Sequence, residues 1–381
     1  FGVCFWQNDL ILEILDRPLE KSAFTKGSER AISEWQMVYG THVFARAKVI
    51  PDLALFRGED AHRHARLIGE RSLEFLAAGG TALAHLDLGE VDEAEAWIDR
   101  AAATAAESPT PFRARQLEIW RGLWRGAAGD AEGMRSHLER AVQLASEQGR
   151  PAARCEALAL LALEAARLGA ERKDDDLLTL AEQAATEVKS LMELLPGHPP
   201  WGAQADAALS RVALTRGSTD LAVNAARSAY TALEEALRED AHLEVLLPAA
   251  EAMIAGGNGE EARTIRTFLQ ITLAMAAQRT ADEAVRVRWL RGPVGRELVR
   301  LAGPLEGLTM QPGGSDGDGV LNESDLELLR PMIEGLTNRE IAERLKLDEE
   351  LVSRRLADIF VKIGASSRAE ATAFAFREKV V

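Results

Sequence analysis

The spacing of glycines constrains this chain more than any other feature. Gly89, Gly129 and Gly169 stand forty residues apart, and Gly217 and Gly257 are separated by forty again. The interval from Gly169 to Gly217 is forty-eight, and Pro196-Gly197-His198-Pro199-Pro200 supplies a loop for the extra eight. Ala94, Met134, Ala222 and Ala262 lie five residues after a glycine, where Asp174 breaks the pattern. Ala101, Ala141, Ala181 and Ala229 lie twelve after, where Leu269 departs. Glycine ends a helix in the left-handed conformation, and a small residue lets the next helix pack closely. Units of this kind bury their apolar faces by stacking on one another. The expected class is all-α: helical pairs in a curved solenoid with a concave binding face.

The clearest unit runs from Ala82 through Leu88-Gly89-Glu90 and Ala94 to Ala101. It resembles a tetratricopeptide repeat: a helix, a turn and a second helix. A forty-residue unit exceeds the usual ~34 of that family and approaches the HEAT range, which longer helices would explain. Residues 43–303 are assigned to this repeat domain. Residues 1–42 carry little pattern, and Phe1-Gly2-Val3-Cys4-Phe5-Trp6 is too apolar for a free tail. They read as the end of an upstream domain or as packing on the first repeat. Residues 304–320 contain Gly313-Gly314-Ser315-Asp316-Gly317-Asp318-Gly319, a polar stretch that cannot hold a helix and reads as a flexible linker.

Composition excludes several classes of function. The net charge of −15 opposes wholesale nucleic-acid binding, so any such binding falls to one local surface. Cys4 and Cys155 alone give neither a disulfide framework nor metal spacing. With no secretory signal and no apolar run long enough to span a bilayer, a cytoplasmic protein is expected. The sequence holds no G-x-x-x-x-G-K-[ST] loop. His62 and His64, two apart, point away from each other on a helix. Trp120 and Trp124, flanked by Arg121 and Arg125, read as packing rather than a ligand platform. No nucleophile–base or paired-carboxylate arrangement stands out, so neither an enzyme nor a cofactor nor a metal is expected.

Residues 321–381 read differently, as four short helices each with a start signal. Asn322 precedes Asp325, Thr337 and Glu340 form a capping box, Asp348 caps the third helix, and Ser367 pairs with Glu370. Gly335 and Gly364 fall where helices one and three stop. Leu328, Leu329, Ile341, Leu345, Val352, Leu356 and Ile359 recur at helical spacing and form one small core. Only Lys346-Leu347-Asp348 joins helices two and three, and the latter carries Arg354 and Arg355. That is the pattern of a helix-turn-helix, whose partner is double-stranded DNA.

Leu321, Glu327-Leu328-Leu329, Glu334 through Ala342, Leu345, Val352, Leu356, Ile359, Lys362-Ile363-Gly364 and Ser367 through Ala371 keep order and spacing without a gap. Together they resemble the DNA-binding domain of LuxR-type transcription regulators. The resemblance implies a promoter-binding homodimer whose third helix enters the major groove through Ser353, Arg354 and Ala357. Arg355 stands where the family usually has His, and Lys362 and Arg339 would hold phosphate. Arginine grips guanine bidentately or holds the backbone. Alternatively, Arg354 and Arg355 form a solvated face with Glu350 and Asp358.

Three residue choices depart from the family. Pro331 should kink or loosen helix one. Leu351 removes a hydroxyl expected at phosphate, and residues 321–381 hold ten Lys/Arg against twelve Asp/Glu, a net of −2. Affinity from one module should be modest, so dimerisation or an activation step is expected. The same family arrangement implies that the repeats sense a small-molecule or protein effector. It also often places an ATPase upstream, so a chain beginning at Phe1 is expected to be the C-terminal part of a longer regulator. The competing reading is a protein-interaction scaffold whose C-terminal module no longer binds DNA.

Overall fold

The computed structural model describes residues 51–195, 199–236, 243–279, 282–303, 323–333, 336, 338–348, 351–353, 355, 356 and 359. The segments expected as an N-terminal extension (1–42) and a linker (304–320) lie outside them. The chain divides into two compact units, Phe1–Glu306 and Gly307–Val381.

Among the described residues the first helix of the first unit is α1 (Pro51–Ile68). Five helical pairs follow in series: α2 (Arg71–Leu88) with α3 (Val91–Glu107), α4 (Pro111–Ala127) with α5 (Ala131–Glu147), and α6 (Pro151–Arg172) with α7 (Asp175–Met192). Then come α8 (Pro199–Thr215) with α9 (Thr219–Ala236), and α10 (Leu243–Gly256) with α11 (Gly259–Arg279). Two shorter helices, α12 (Glu283–Arg291) and α13 (Pro293–Ala302), are the last described in this unit. No strand occurs among the described residues.

Gly89, Gly129 and Gly217 sit between paired helices at φ of 78°, 76° and 79°. Each is followed by an amide that reaches back to close the helix end: Glu90 to the His85 carbonyl, Asp130 to Arg125 and Ser218 to Ala213. Orphan carbonyls are thereby satisfied where only glycine is unstrained. Gly257 also lies between paired helices, and Asn258 after it accepts from the amides of Glu260 and Glu261 to start α11.

Gly169 does not mark a turn. It lies inside α6, which continues to Arg172, and Lys173 takes the left-handed position at φ 55° instead. Asp174 then caps α7 by accepting from Asp176 and Leu177. A four-residue extension adds about one helical turn, so the buried face keeps its phase: Leu178, Ala181 and Ala185 remain inside. Gly169 has a packing role, since a Cβ there would lie 2.9 Å from Leu178 Cδ2.

The two helices of a pair differ in burial. In α3 only the stripe Ala94, Ile98, Ala101 and Thr104 is buried, and in α5 only Met134, Leu138, Ala141 and Ala145. By contrast, from Leu73 to Leu88 every residue of α2 is buried except Leu76 and Leu83, which are half-buried. Ala101, Ala141 and Ala181 are 0% exposed. Ala101→Leu is therefore expected to overpack the unit and destabilise it by roughly 1–3 kcal/mol. Chemical denaturation of the variant checks this.

The two ends of the helical run meet. α12 and α13 pack against α2, at the opposite end of the run. Leu88 shares an apolar cluster with Trp289 and Leu298, Pro293 Cδ lies against Gly89, and Arg288 donates to Glu90 at 2.5 Å. The last two helices of the run thus pack on the C-terminal end of α2.

The second unit contains α14 (Glu323–Ile333), α15 (Asn338–Leu345) and a third set of helical residues at 351–353, 355, 356 and 359. Its core is Leu328, Leu329, Met332, Ile341, Ala342, Val352, Leu356 and Ile359, with Leu336, Leu345 and Leu347 packed against it. α14 runs through Pro331 to Ile333. Proline lacks the N–H that would bond the carbonyl four residues back, but the helix ends two residues later and Met332 still reaches the core. Asn322, Thr337, Gly335, Gly364, Ser367 and Glu370, expected as helix signals, lie outside the described residues.

Candidate nucleic-acid interface

A tight connection sets the third helix on the second. Lys346 adopts φ 55°, and the Leu347 amide donates to the Ala342 carbonyl at 3.0 Å, ending α15. The Asp348 carbonyl then accepts from Val352 at 3.0 Å, opening the next helix. Val352, Leu356 and Ile359, spaced four and three apart, turn inward. That fixes the rotation of the helix and leaves Ser353 exposed and Arg355 half-buried.

Of the six residues expected to meet DNA, these two can be placed. Arg354, Ala357 and Lys362 lie outside the described residues. Arg339 occupies the second position of α15, and its side chain lies outside them as well. Ile341, read as core, is buried at 0% exposure, and Ala342 beside it at 6%.

Asn338 adds a contact that sequence reasoning missed. Its Nδ2 donates to Ser353 Oγ at 3.0 Å, joining the first residue of α15 to the first turn of the third helix. Ser353 is thus held on one side by the protein while its surface stays exposed. The only signal for this was an amide at the start of one helix facing a hydroxyl at the start of the next.

Residues 320–375 match the family described as "Bacterial regulatory proteins, luxR family". This segment is a LuxR-family helix-turn-helix domain. The family is one of DNA-binding regulators, which supports a DNA-binding transcriptional regulator and gives the LuxR-type module no enzymatic role. The match does not extend into the helical pairs. No curated protein matches the chain.

The constellations weighed in the repeat unit resolve as packing. Trp120 is 0% exposed against Phe75, and Trp124 Nε1 donates to the Val91 carbonyl at 3.1 Å. His62 meets Trp97 edge-on at 5.2 Å, and burial lowers its pKa. The Cys155 thiol is buried and pushed up to about 12 by desolvation, the opposite of a reactive thiolate. No group of three or more metal-binding side chains occurs among the described residues. None of the described helices is long and apolar enough to cross a membrane.

Proposed function

We propose that this chain is the DNA-binding and sensing part of a cytoplasmic transcription regulator. The observation that carries the reading is the LuxR-type module, whose buried Val352–Leu356–Ile359 stripe turns the Ser353 side of the third helix outward. In this reading Ser353, Arg354 and Ala357 face the bases of the major groove. Arg355 stands beside them, and Lys362 and Arg339 steady the phosphates. The module is acidic by two charges, so a single copy binds weakly and a homodimer on two half-sites supplies the affinity. The helical pairs serve as tetratricopeptide-like repeats that receive a small-molecule or protein effector.

Titration of the full chain against a selected duplex at several salt concentrations tests the reading. Arg354→Ala is expected to weaken binding by about 1–3 kcal/mol and relax specificity at one position. Lys362→Ala is expected to weaken binding to all sequences and reduce the salt slope by about one. If the folded chain binds no duplex at low salt, the regulator reading fails and the scaffold reading stands.

A further inference from the structure

Two arginines of α4 enter the interior of the repeat unit. Arg113 is 5% exposed and Arg115 8%. Neither has a carboxylate within ion-pair distance among the described residues, whereas the more exposed Arg135 and Arg227 each hold one and Arg216 holds two. This inverts the usual order, in which a charge enters the interior with its counter-charge. Arg113 is satisfied by neutral partners, the Ser108 carbonyl and Ser72 Oγ.

Arg115 is satisfied less fully. Its Nη1 donates to Gln148 Oε1 at 2.5 Å, and Gln148 is held in that orientation by donating its own Nε2 to the Pro111 carbonyl at 3.0 Å. The Arg115 Nε is fully buried with no partner among the described residues. One end of the guanidinium is therefore anchored to an amide, and Nε, on the Nε–Nη2 edge, has no described partner. That edge is the fork that a carboxylate or phosphate engages through two parallel N–H···O bonds. Phe112 forms a partly exposed rim, with the Arg115 guanidinium carbon 5.6 Å from its ring centroid. Burial lowers the Arg115 pKa, Glu156 raises it and Arg150 lowers it, yet a guanidinium stays charged in water-accessible proteins.

We propose that Arg115, positioned by Gln148, anchors an oxyanion site that takes the carboxylate or phosphate group of a small molecule. The proposal deepens the sensing role suggested for the repeats and rests on that reading only for the ligand's part in regulation. Binding itself is measured without DNA.

Thermal unfolding of the full chain is followed while inorganic phosphate or succinate replaces chloride at constant ionic strength. One of the two is expected to raise Tm saturably, by roughly 2–4 °C. The anion that acts distinguishes a phosphoryl ligand from a carboxylate one. Arg115→Met should abolish the shift, and Arg115→Lys, which keeps charge but lacks the fork, should weaken the apparent affinity at least about tenfold. Gln148→Glu guards against variants that fail to fold, because it supplies an internal counter-charge: the protein should stay folded and lose the response. Absence of a saturable shift with either anion overturns the proposal. So does a shift in folded Arg115→Met or Gln148→Glu equal to that of the parent chain. Loss of duplex binding with the anion response intact would instead refute the regulator reading alone.

Discussion

Trp120→Ala is expected to lower the unfolding free energy of the repeat unit by about 3–5 kcal/mol, the range for emptying a large buried aromatic site. The indole is 0% exposed, and its ring centre lies 4.7 Å from that of Phe75. Gly79, one turn along α2 from Phe75, also borders the site, and a Cβ there would stand 2.1 Å from the ring. The helix therefore tolerates glycine in its interior, at a cost near 1 kcal/mol relative to alanine, because the ring occupies the space of a side chain. This makes the sign of a second substitution informative. Gly79→Ala should destabilise the parent chain by about 1–3 kcal/mol through overpacking. In the Trp120→Ala background the obstruction is gone, and Gly79→Ala should stabilise by up to about 1 kcal/mol. Urea denaturation of the four proteins measures both. Destabilisation by Gly79→Ala of equal size in both backgrounds would show that the ring does not occupy that space.

The sequence made the local architecture legible and left the long-range contacts unread, for reasons visible in single residues. Gly89, Gly129 and Gly217 could be read as turns because a left-handed helix end selects glycine. Gly169 misled because close packing also selects glycine, here against Leu178, while the left-handed position fell to Lys173, which carries no such signal. The core of the LuxR-type module followed from periodicity, apart from Met332 and Ala342. At the candidate interface Ser353 was named, but its partner Asn338 was not, because the pair depends on how two helices cross. The packing of α12 and α13 on α2 left no trace in the repeat pattern, which reports only how each unit meets its neighbour. Arg288 and Glu90 are 198 residues apart in sequence.

That closure gives the other large effect: Gly292→Ala is expected to destabilise the repeat unit by about 3 kcal/mol, the upper part of the overpacking range. Gly292 has φ −68° and ψ 172°, a backbone any residue adopts, so the cost arises from space alone. A Cβ there would stand 2.6 Å from the Asp87 carbonyl oxygen and 3.1 Å from the Leu88 carbonyl carbon. These are backbone atoms at the end of α2, and no rotamer change moves them aside. Relief requires α12 and α13 to move off α2, which disturbs the cluster holding Leu88, Trp289 and Leu298. The ion pair at the same junction is a weak tie by comparison, since the Arg288 side chain is 47% exposed. Glu90 also meets His85 Nδ1 at 2.7 Å, a contact that glutamine can keep, so Glu90→Gln should cost less than about 1 kcal/mol. Gly202→Ala is the opposite control: the residue is helical, nothing lies within 4 Å of its Cβ position, and stability should rise by about 0.5–1 kcal/mol. Chemical denaturation of the three variants should rank Gly292→Ala far below Glu90→Gln, with Gly202→Ala above the parent chain. If Gly292→Ala costs no more than Glu90→Gln, the two ends of the helical run are not in contact in solution.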